Sequence, residues 1–136
     1  MSAKFKIYSD GGARGNPGPA AIGIMISDEQ GEIIQDHKET IGETTNNVAE
    51  YTAVIVGLEL AQKLGAQDID YYVDSELVAK QISGEYRVKT PHILVLYKEV
   101  KERMKNFKKI KFHHVPRTHE QLRYVDKLVN EALDEA

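Results

Sequence analysis

The sequence contains no cysteine, and its 136 residues include no long uninterrupted apolar run. The absence of cysteine excludes disulfide bonds, thiolate catalysis and cysteine-ligated zinc sites, and it suits a reducing compartment. No segment approaches the roughly 20 apolar residues that a membrane-spanning helix needs. The chain enters a strand pattern at once, without a basic and then apolar leader, so we expect a cytoplasmic protein with no membrane partner.

A large excess of charge of either sign is also missing, since the formal net charge is −3 with 29% charged and 41% hydrophobic residues. This composition is ordinary for a folded globular protein, and the length suits one domain, which we expect to span residues 1–136. The net charge argues weakly against a polyanionic ligand. Residues 98–111, however, carry seven basic side chains against two acidic ones, and local charge sets the field that a ligand experiences.

Hydrophobic periodicity predicts a strand-rich first third of the chain. Alternating apolar residues predict three strands, in "KFKIYS", "AIGIMIS" and "EIIQDHKETI". Short polar turns separate them, so we expect an antiparallel meander.

Helical periodicity begins at residue 46 and alternates with two further strands. The predicted elements are a long helix in "NNVAEYTAVIVGLELAQKLG", a strand in "DIDYYVD", a short helix in "SELVAKQI", a helix opened by Pro91, a strand in "KIKFHHV", and a last helix with a capping box formed by Thr118 and Gln121. The element order is therefore βββαβααβα. A crossover connection makes the first and fourth strands parallel, so we expect an α/β fold with a five-stranded mixed sheet flanked by helices.

Acidic residues follow two neighbouring strands of this sheet. Asp10 closes the first strand and Asp74 closes the fourth, and ligands collect beyond the carboxyl ends of parallel strands. Glu50 in the long helix and Asp126 in the last helix are further candidates. Simpler explanations exist: Asp10 could form a turn and Asp74 could cap the short helix. Glu50 could complete a capping box with Asn47, and Asp126 could be a surface residue.

Convergence of these acids would favour a metal site. Like charges a few ångströms apart repel strongly at low dielectric unless some are protonated or cations lie among them. Carboxylate oxygens, without cysteine or HExxH spacing, suit Mg²⁺ or Mn²⁺ and not zinc. Two such ions about 3.5–4 Å apart commonly serve in-line attack on a phosphodiester.

A glycine-rich segment, "YSDGGARGNPG", surrounds Asp10. Glycines such as Gly11 and Gly12 let backbone groups approach a ligand closely. Asn16, Asn46 and Asn47 add hydrogen-bond donors and acceptors. Such groups suit a 2′-hydroxyl, the group that distinguishes RNA from DNA.

With these residues assembled, the chain resembles a type 1 ribonuclease H over nearly its whole length. The matching stretches are "YSDGGARGNPGPAA", "TTNNVAEYTA", "VDSELV" and "HVPR…VDKLVNEAL". The resemblance implies a ribonuclease H-like fold and an endonuclease that cuts the RNA strand of an RNA–DNA hybrid, leaving 5′-phosphate and 3′-hydroxyl ends. It implies two Mg²⁺ or Mn²⁺ ions, with Asp10 bridging both, Glu50 and Asp74 as further ligands, and Asp126 as the fourth acid.

The resemblance also implies a set of substrate contacts. Residues expected at the RNA strand are Gly11, Gly12, Asn16, Asn46 and Asn47, with Thr45 at a DNA phosphate. The sequence departs from the family at Glu76, where a glutamine is common, and the extra negative charge should weaken substrate binding or demand another cation. The segment after "HVPR" is longer than usual, which leaves Glu120 as a rival to Asp126. A basic insertion between residues 84 and 91 and an extra hybrid-binding domain are absent, so we expect a compact form of modest affinity.

Two further groups carry open alternatives. Lys98, Lys101 and Lys105 share a face of the helix opened by Pro91, and this face is either a track for the phosphates of the hybrid or a solvated surface. His119 precedes the last helix, where some family members place a mobile histidine for proton transfer or product release. The alternative is an exposed loop histidine.

Three functions are compatible with these patterns. The leading hypothesis is metal-dependent hydrolysis of the RNA in RNA–DNA hybrids by a monomer, with double-stranded RNA and RNA–DNA junctions left open as substrates. A non-catalytic module that binds hybrid or double-stranded RNA is the alternative, motivated by Glu76 and the altered last helix. A recombinase core or an exonuclease on the same scaffold is a third, and the "TTNN" pair disfavours it.

Overall fold

The computed structural model describes residues 4–136 and confirms the predicted element order. Over these residues the elements are β1 (Lys4–Ala13), β2 (Gly18–Ser27), β3 (Ile33–Thr44), α1 (Asn46–Lys63), β4 (Asp68–Val73), α2 (Glu76–Ile82), α3 (Pro91–Met104), β5 (Lys109–His114) and α4 (Glu120–Glu135). The strand order in the sheet is β3-β2-β1-β4-β5. β1, β2 and β3 pair antiparallel, whereas β1, β4 and β5 pair parallel, so the expected five-stranded mixed sheet is confirmed.

The two faces of the sheet bury different cores. Alternate residues of a strand point to opposite faces, so Ile7 joins the core with α1 and Tyr8 joins the core with α4. The larger core is formed by Ile7, Ile22, Ile24, Ile26, Tyr51, Val54, Leu58, Ile69 and Tyr71, among other buried residues. None of the helices in the described part of the chain is long and apolar enough to cross a bilayer.

Two glycines let the helices approach the sheet closely. A Cβ atom on Gly11 would lie 2.2 Å from the carbonyl oxygen of Ala49 in α1. A Cβ atom on Gly23 would lie 2.5 Å from the carbonyl oxygen of Val125 in α4. Glu50 and Asp126 directly follow Ala49 and Val125 in the chain, and Gly23 pairs with Asp10. The two close approaches therefore bring both acids near Asp10.

Strand β1 is longer than the sequence predicts. Its pairing with β4 ends at Tyr8 and Tyr72, but its pairing with β2 continues to Ala13 and Ala20. The backbone N–H and C=O groups of Gly11 and Gly12 can form the hydrogen bonds of the sheet as well as those of any other residue, so the strand continues through them. Asp10 therefore lies beyond the last parallel pair, as expected, but inside the antiparallel one, and the prediction that it closes the strand is wrong.

The start of α4 also differs from the prediction. The N-cap is His119 rather than Thr118, and no side chain makes a cap hydrogen bond there. The backbone N–H of His119 donates to the carbonyl of Pro116, which closes a turn before the helix and leaves Thr118 exposed in that turn. The predicted capping box with Gln121 is therefore wrong.

Candidate active site

Three carboxylates from separate elements meet at the point where β1 and β4 diverge. Asp10 of β1, Glu50 of α1 and Asp74, directly after β4, each offer an oxygen within 4.8 Å of the others. Asp10 lies deepest, with 6% of its surface exposed. The predicted convergence is thus present in the structure, among residues that are up to 64 positions apart in the chain (10 to 74).

The simpler explanations for Glu50 and Asp74 do not hold. Thr45 caps α1, because its hydroxyl accepts a hydrogen bond from the backbone N–H of Val48 at 3.2 Å. Ser75 caps α2 in the same way, accepting from Val78 at 3.2 Å. Neither carboxylate is needed as a helix cap, so both remain available for another role.

Burial and mutual repulsion make the cluster hold protons when no cation is bound. Burial raises the pKa of Asp10 to about 8, with further contributions from Asp74, Asp126 and Glu50 in that order. Burial also raises the pKa of Glu50 to about 7, with Asp74 adding to it and the Ser75 hydroxyl and Arg117 opposing it. A divalent ion would replace those protons and would relieve the repulsion among the carboxylates, so the cluster fits a metal site.

Asp126 lies on the Asp10 side of this cluster. Its carboxyl lies near that of Asp10 and contributes to the raised pKa of Asp10. It is not one of the three acids whose oxygens lie mutually within 4.8 Å. Glu120, the rival candidate, is an exposed residue at the first position of α4 that lines a groove with Lys6 and Tyr124. The structure therefore favours Asp126 over Glu120, and the role of Asp126 as a ligand stays a prediction.

Sequence reasoning missed one charged residue of the site. The guanidinium Nε of Arg117 lies 3.4 Å from Oδ2 of Asp74, and the Arg117 side chain is 80% exposed whereas that of Asp74 is 8% exposed. The nearby acids, Asp74 first, raise the pKa of Arg117. A signal was available: β4 and β5 pair up to Val73 and His114, so residues shortly after β5 must lie beside Asp74.

His119 lies beside the site in an aromatic group. Its ring is nearly parallel to those of Tyr8 and Tyr72, with centroids 6.0 and 6.4 Å away. Its Nδ1 is buried and has no hydrogen-bond partner among the described residues. This packing differs from a fully exposed loop histidine, and a role of His119 in proton transfer stays a prediction.

Two asparagines hydrogen-bond the glycine-rich segment around the β1–β2 turn (residues 11–18, here called the glycine turn) to the start of α1. The Asn46 side-chain oxygen accepts a hydrogen bond from the backbone N–H of Ala13 at 2.8 Å, and the Asn16 side-chain oxygen accepts from the backbone N–H of Asn46 at 3.0 Å. The side-chain oxygen of Asn47 is buried and has no partner among the described residues. An unsatisfied buried acceptor is costly, and the role of Asn47 as a contact of the RNA strand stays a prediction.

The basic face of α3 is less uniform than predicted. Lys101 donates to the carbonyl of Ile82 at 2.5 Å, at the last residue of α2. Lys105 pairs with Glu102 at 3.1 Å, and Lys98 is exposed. Glu76 is exposed in the first turn of α2, where a negative charge is favoured by the helix dipole.

Comparison with known proteins matches these features to one family. Residues 8–132 match the family model described as "Reverse transcriptase-like". The chain is 42% identical over 134 residues to the bifunctional protein Rv2228c of Mycobacterium tuberculosis, covering 98% of this chain and 36% of that protein. It is 42% identical over 130 residues to ribonuclease HI of Halobacterium salinarum, covering 95% of this chain and 64% of that protein.

Structural comparison gives a consistent result. The chain is similar to LC11-RNase H1, solved in complex with an RNA/DNA hybrid, with a TM-score of 0.90 and 41% identity over 96% of this chain and 97% of that one. The chain spans between about a third and two thirds of the length of the curated relatives above.

Proposed function

The chain belongs to the ribonuclease HI family, and on that premise we propose that it hydrolyses the RNA strand of RNA–DNA hybrids, leaving 5′-phosphate and 3′-hydroxyl ends. The observation that carries the proposal is the convergence of Asp10, Glu50 and Asp74, two of them with raised pKa values. Such a cluster keeps its charge only with cations, as a metal-dependent phosphodiester hydrolase requires. The similarity to a protein solved with an RNA/DNA hybrid supports the substrate class.

The donor set fits Mg²⁺ or Mn²⁺, because every candidate ligand offers oxygen and the chain has no cysteine. We propose that Asp10, Glu50 and Asp74 would hold the two ions, with Asp10 shared between them, and that Asp126 would complete the set on the α4 side. When bound, such ions activate a water molecule and stabilise the leaving oxygen.

Recognition of the RNA strand is proposed for the glycine turn and the start of α1. The amide NH₂ groups of Asn16 and Asn46 can donate, since their oxygens already hold the turn in place. The partnerless oxygen of Asn47 can accept from a 2′-hydroxyl. Gly11 and Gly12 present backbone groups without side chains between them and the ligand.

Recognition of phosphates is proposed for Thr45, Arg117 and Lys98. The hydroxyl of Thr45 accepts from Val48 and keeps its own proton to donate to a DNA phosphate. Arg117 is exposed beside Asp74, where a guanidinium can also contact the reacting phosphate. On α3, Lys101 and Lys105 already have partners, so Lys98 is left as the main candidate of the three.

A cleavage assay tests the proposal. End-labelled RNA–DNA hybrid, RNA duplex, DNA duplex and RNA–DNA junction substrates are incubated with the protein in Mg²⁺ or Mn²⁺. We expect cleavage of RNA in the hybrid, loss of that cleavage in Asp10→Asn, and retention in Asp36→Asn, a matched change of an acid on β3. Equal cleavage of DNA duplex would contradict the substrate assignment. Hybrid binding with neither turnover nor heat on metal titration would favour the non-catalytic binding module.

We also propose that residues 1–136 form one domain that acts as a monomer in the cytoplasm. A single five-stranded sheet supports the one-domain assignment, and the absence of cysteine suits a reducing compartment. Light scattering coupled to size exclusion measures the mass in solution, and a mass of twice 15.3 kDa would contradict the monomer.

A further inference from the structure

Helix α4 leaves half of one sheet face beyond its reach. It packs mainly on β1, β2 and β3, and on β4 the core that it forms reaches Tyr72, whereas Asp68, Asp70 and strand β5 lie farther to the side. On the face that carries Tyr72, the parallel register aligns two rows of charged residues. These lysine rows are Lys4–Asp68–Lys109 and Lys6–Asp70–Lys111. Lys109 and Lys111 are exposed and the other four residues are partly exposed, so the rows are open to a ligand.

The lysine rows are locally positive in an otherwise acidic chain. The two rows hold four lysines and two aspartates, a net charge of +2, and the exposed Glu120 in the groove beside Lys6 lowers the local charge to +1, while the whole chain carries −3. Asp70 is already engaged by the ring Nε2 of His113 at 2.8 Å and by Lys4 at 3.9 Å. Within residues 4–136, neither Lys109 nor Lys111 forms a salt bridge. Strand geometry sets the rows about 6.6 Å apart, a spacing suited to successive phosphates of an extended single strand.

An aromatic row continues the same face toward the acids. The rings of Tyr8, Tyr72 and His113 stack in sequence, with centroids 4.8 Å apart at each step. β5 is an edge strand, so no further strand covers the outer face of the His113 ring. A nucleobase could extend this stack by one ring. Asp10 lies two residues after Tyr8, so the row adjoins the candidate active site.

We propose that this open face binds a single-stranded nucleic-acid segment, with the lysine rows at its phosphates and one base stacked on His113. Proteins that bind single strands combine a positive surface with aromatic rings in this way. The surface lies apart from the glycine turn and α3, so it is separate from the proposed hybrid contacts. It would hold a single-stranded tail adjoining the hybrid. An acidic protein surface is the other polyanion to consider, but it would leave the outer His113 ring face without a stacking partner.

Binding of labelled single-stranded oligonucleotides tests the lysine rows. Fluorescence anisotropy is measured in EDTA over a series of salt concentrations. The double variant Lys109→Gln with Lys111→Gln should bind more weakly, and its slope of log affinity against log salt should be shallower by about 0.7 for each phosphate that a lysine no longer neutralises. Lys63→Gln with Lys127→Gln, two exposed lysines on α1 and α4, removes the same charge elsewhere.

Three results would overturn the proposal: no binding by the unaltered protein, an equal loss in both double variants, or equally tight binding of polyglutamate at the same salt. Cleavage of a blunt-ended hybrid by the Lys109→Gln, Lys111→Gln variant should be unchanged. That measurement separates the proposal from the hydrolytic activity, because either one can fail while the other holds.

Base stacking has its own readout. An oligonucleotide containing 2-aminopurine should lose fluorescence on binding to the unaltered protein and should keep it with His113→Ala. His92→Ala, an exposed histidine on α3, serves as the control. Circular dichroism confirms that each variant is folded. Quenching that persists in folded His113→Ala would overturn the stacking contact.

Discussion

A negative charge on Asp10 destabilises the folded protein when no metal ion is bound. It is buried on the central strand and faces three other acids, and its pKa is raised to about 8. An aspartate in an unfolded chain titrates near 3.8. Between these two values the folded, metal-free protein binds more protons than the unfolded chain does, and stability therefore falls as pH rises.

The first prediction concerns this pH dependence. In EDTA, the free energy of unfolding should decline as pH rises from about 4 to about 8, because Asp10 must lose its proton in a buried site. Asp10→Asn should flatten the decline and raise the melting temperature at pH 8. Thermal unfolding of both proteins at several pH values measures this, with Asp36→Asn as the control. A variant no more stable than the unaltered protein at pH 8 would contradict the prediction.

The second prediction concerns Arg117. Its guanidinium lowers the pKa of Glu50, so Arg117→Gln should move the acid limb of the cleavage pH profile to higher pH. Because the Arg117 side chain is 80% exposed, the shift should be a fraction of a pH unit, as expected for exposed pairs of about 0.2–1 kcal/mol. Arg117→Lys should restore part of it. Arg123→Gln, an exposed arginine on α4, should leave the profile in place, and an equal shift there would refute the assignment.

At the scale of elements, the approach of α1 to β1 decides whether the acids meet. The third prediction compares neighbouring glycines with the same substitution. Gly11→Ala should cost about 1–3 kcal/mol of stability, because its Cβ would meet the backbone of Ala49 at 2.2 Å and push Glu50 away from Asp10. Gly12→Ala places its Cβ 3.7 Å from Val129, an ordinary contact, and should change stability little. Denaturant unfolding of both variants checks this, and equal losses would count against it.

The fourth prediction separates two lysines of α3. Lys101→Met should lower stability by about 1–3 kcal/mol, because it removes a charged donor from the last carbonyl of α2. Lys98→Gln should leave stability within about 0.5 kcal/mol but make the salt dependence of hybrid binding shallower by about 0.7–0.9. Denaturant unfolding and binding titrations are measured on both variants. A stability loss in Lys98→Gln, or no loss in Lys101→Met, would contradict the role assigned to that lysine.

Local patterns predicted the order of the elements, because neighbouring residues set the hydrophobic period, and the predicted crossover between β1 and β4 brought Asp10 and Asp74 to one edge of the sheet. Features that depend on pairing across the sheet were not predicted. β1 extends to Ala13 because β2 pairs with it, and α4 begins at His119 because a turn with Pro116 sets its start. Arg117 reaches Asp74 only through the register of β4 and β5.

For the whole molecule, metal binding and folding should be linked. The fifth prediction is that Mg²⁺ or Mn²⁺ raises the melting temperature. Above the dissociation constant, the free energy of unfolding should rise with the logarithm of the metal concentration, by about 2.7 kcal/mol per site at 100 times that constant. Asp74→Asn should reduce the gain, since it removes one ligand of the cluster. Differential scanning calorimetry measures the effect. An equal gain in Asp74→Asn would place the bound ions elsewhere.

The position of Asp10 beyond the last parallel pair of a central strand has an evolutionary consequence. One substitution that neutralises this carboxylate should abolish the proposed hydrolysis and at the same time stabilise the metal-free protein. Selection for activity must therefore oppose a substitution that would increase the stability of the protein. Gene copies that are released from selection for activity should lose this carboxylate and become stable, inactive proteins. They would still carry the proposed nucleic-acid-binding surfaces.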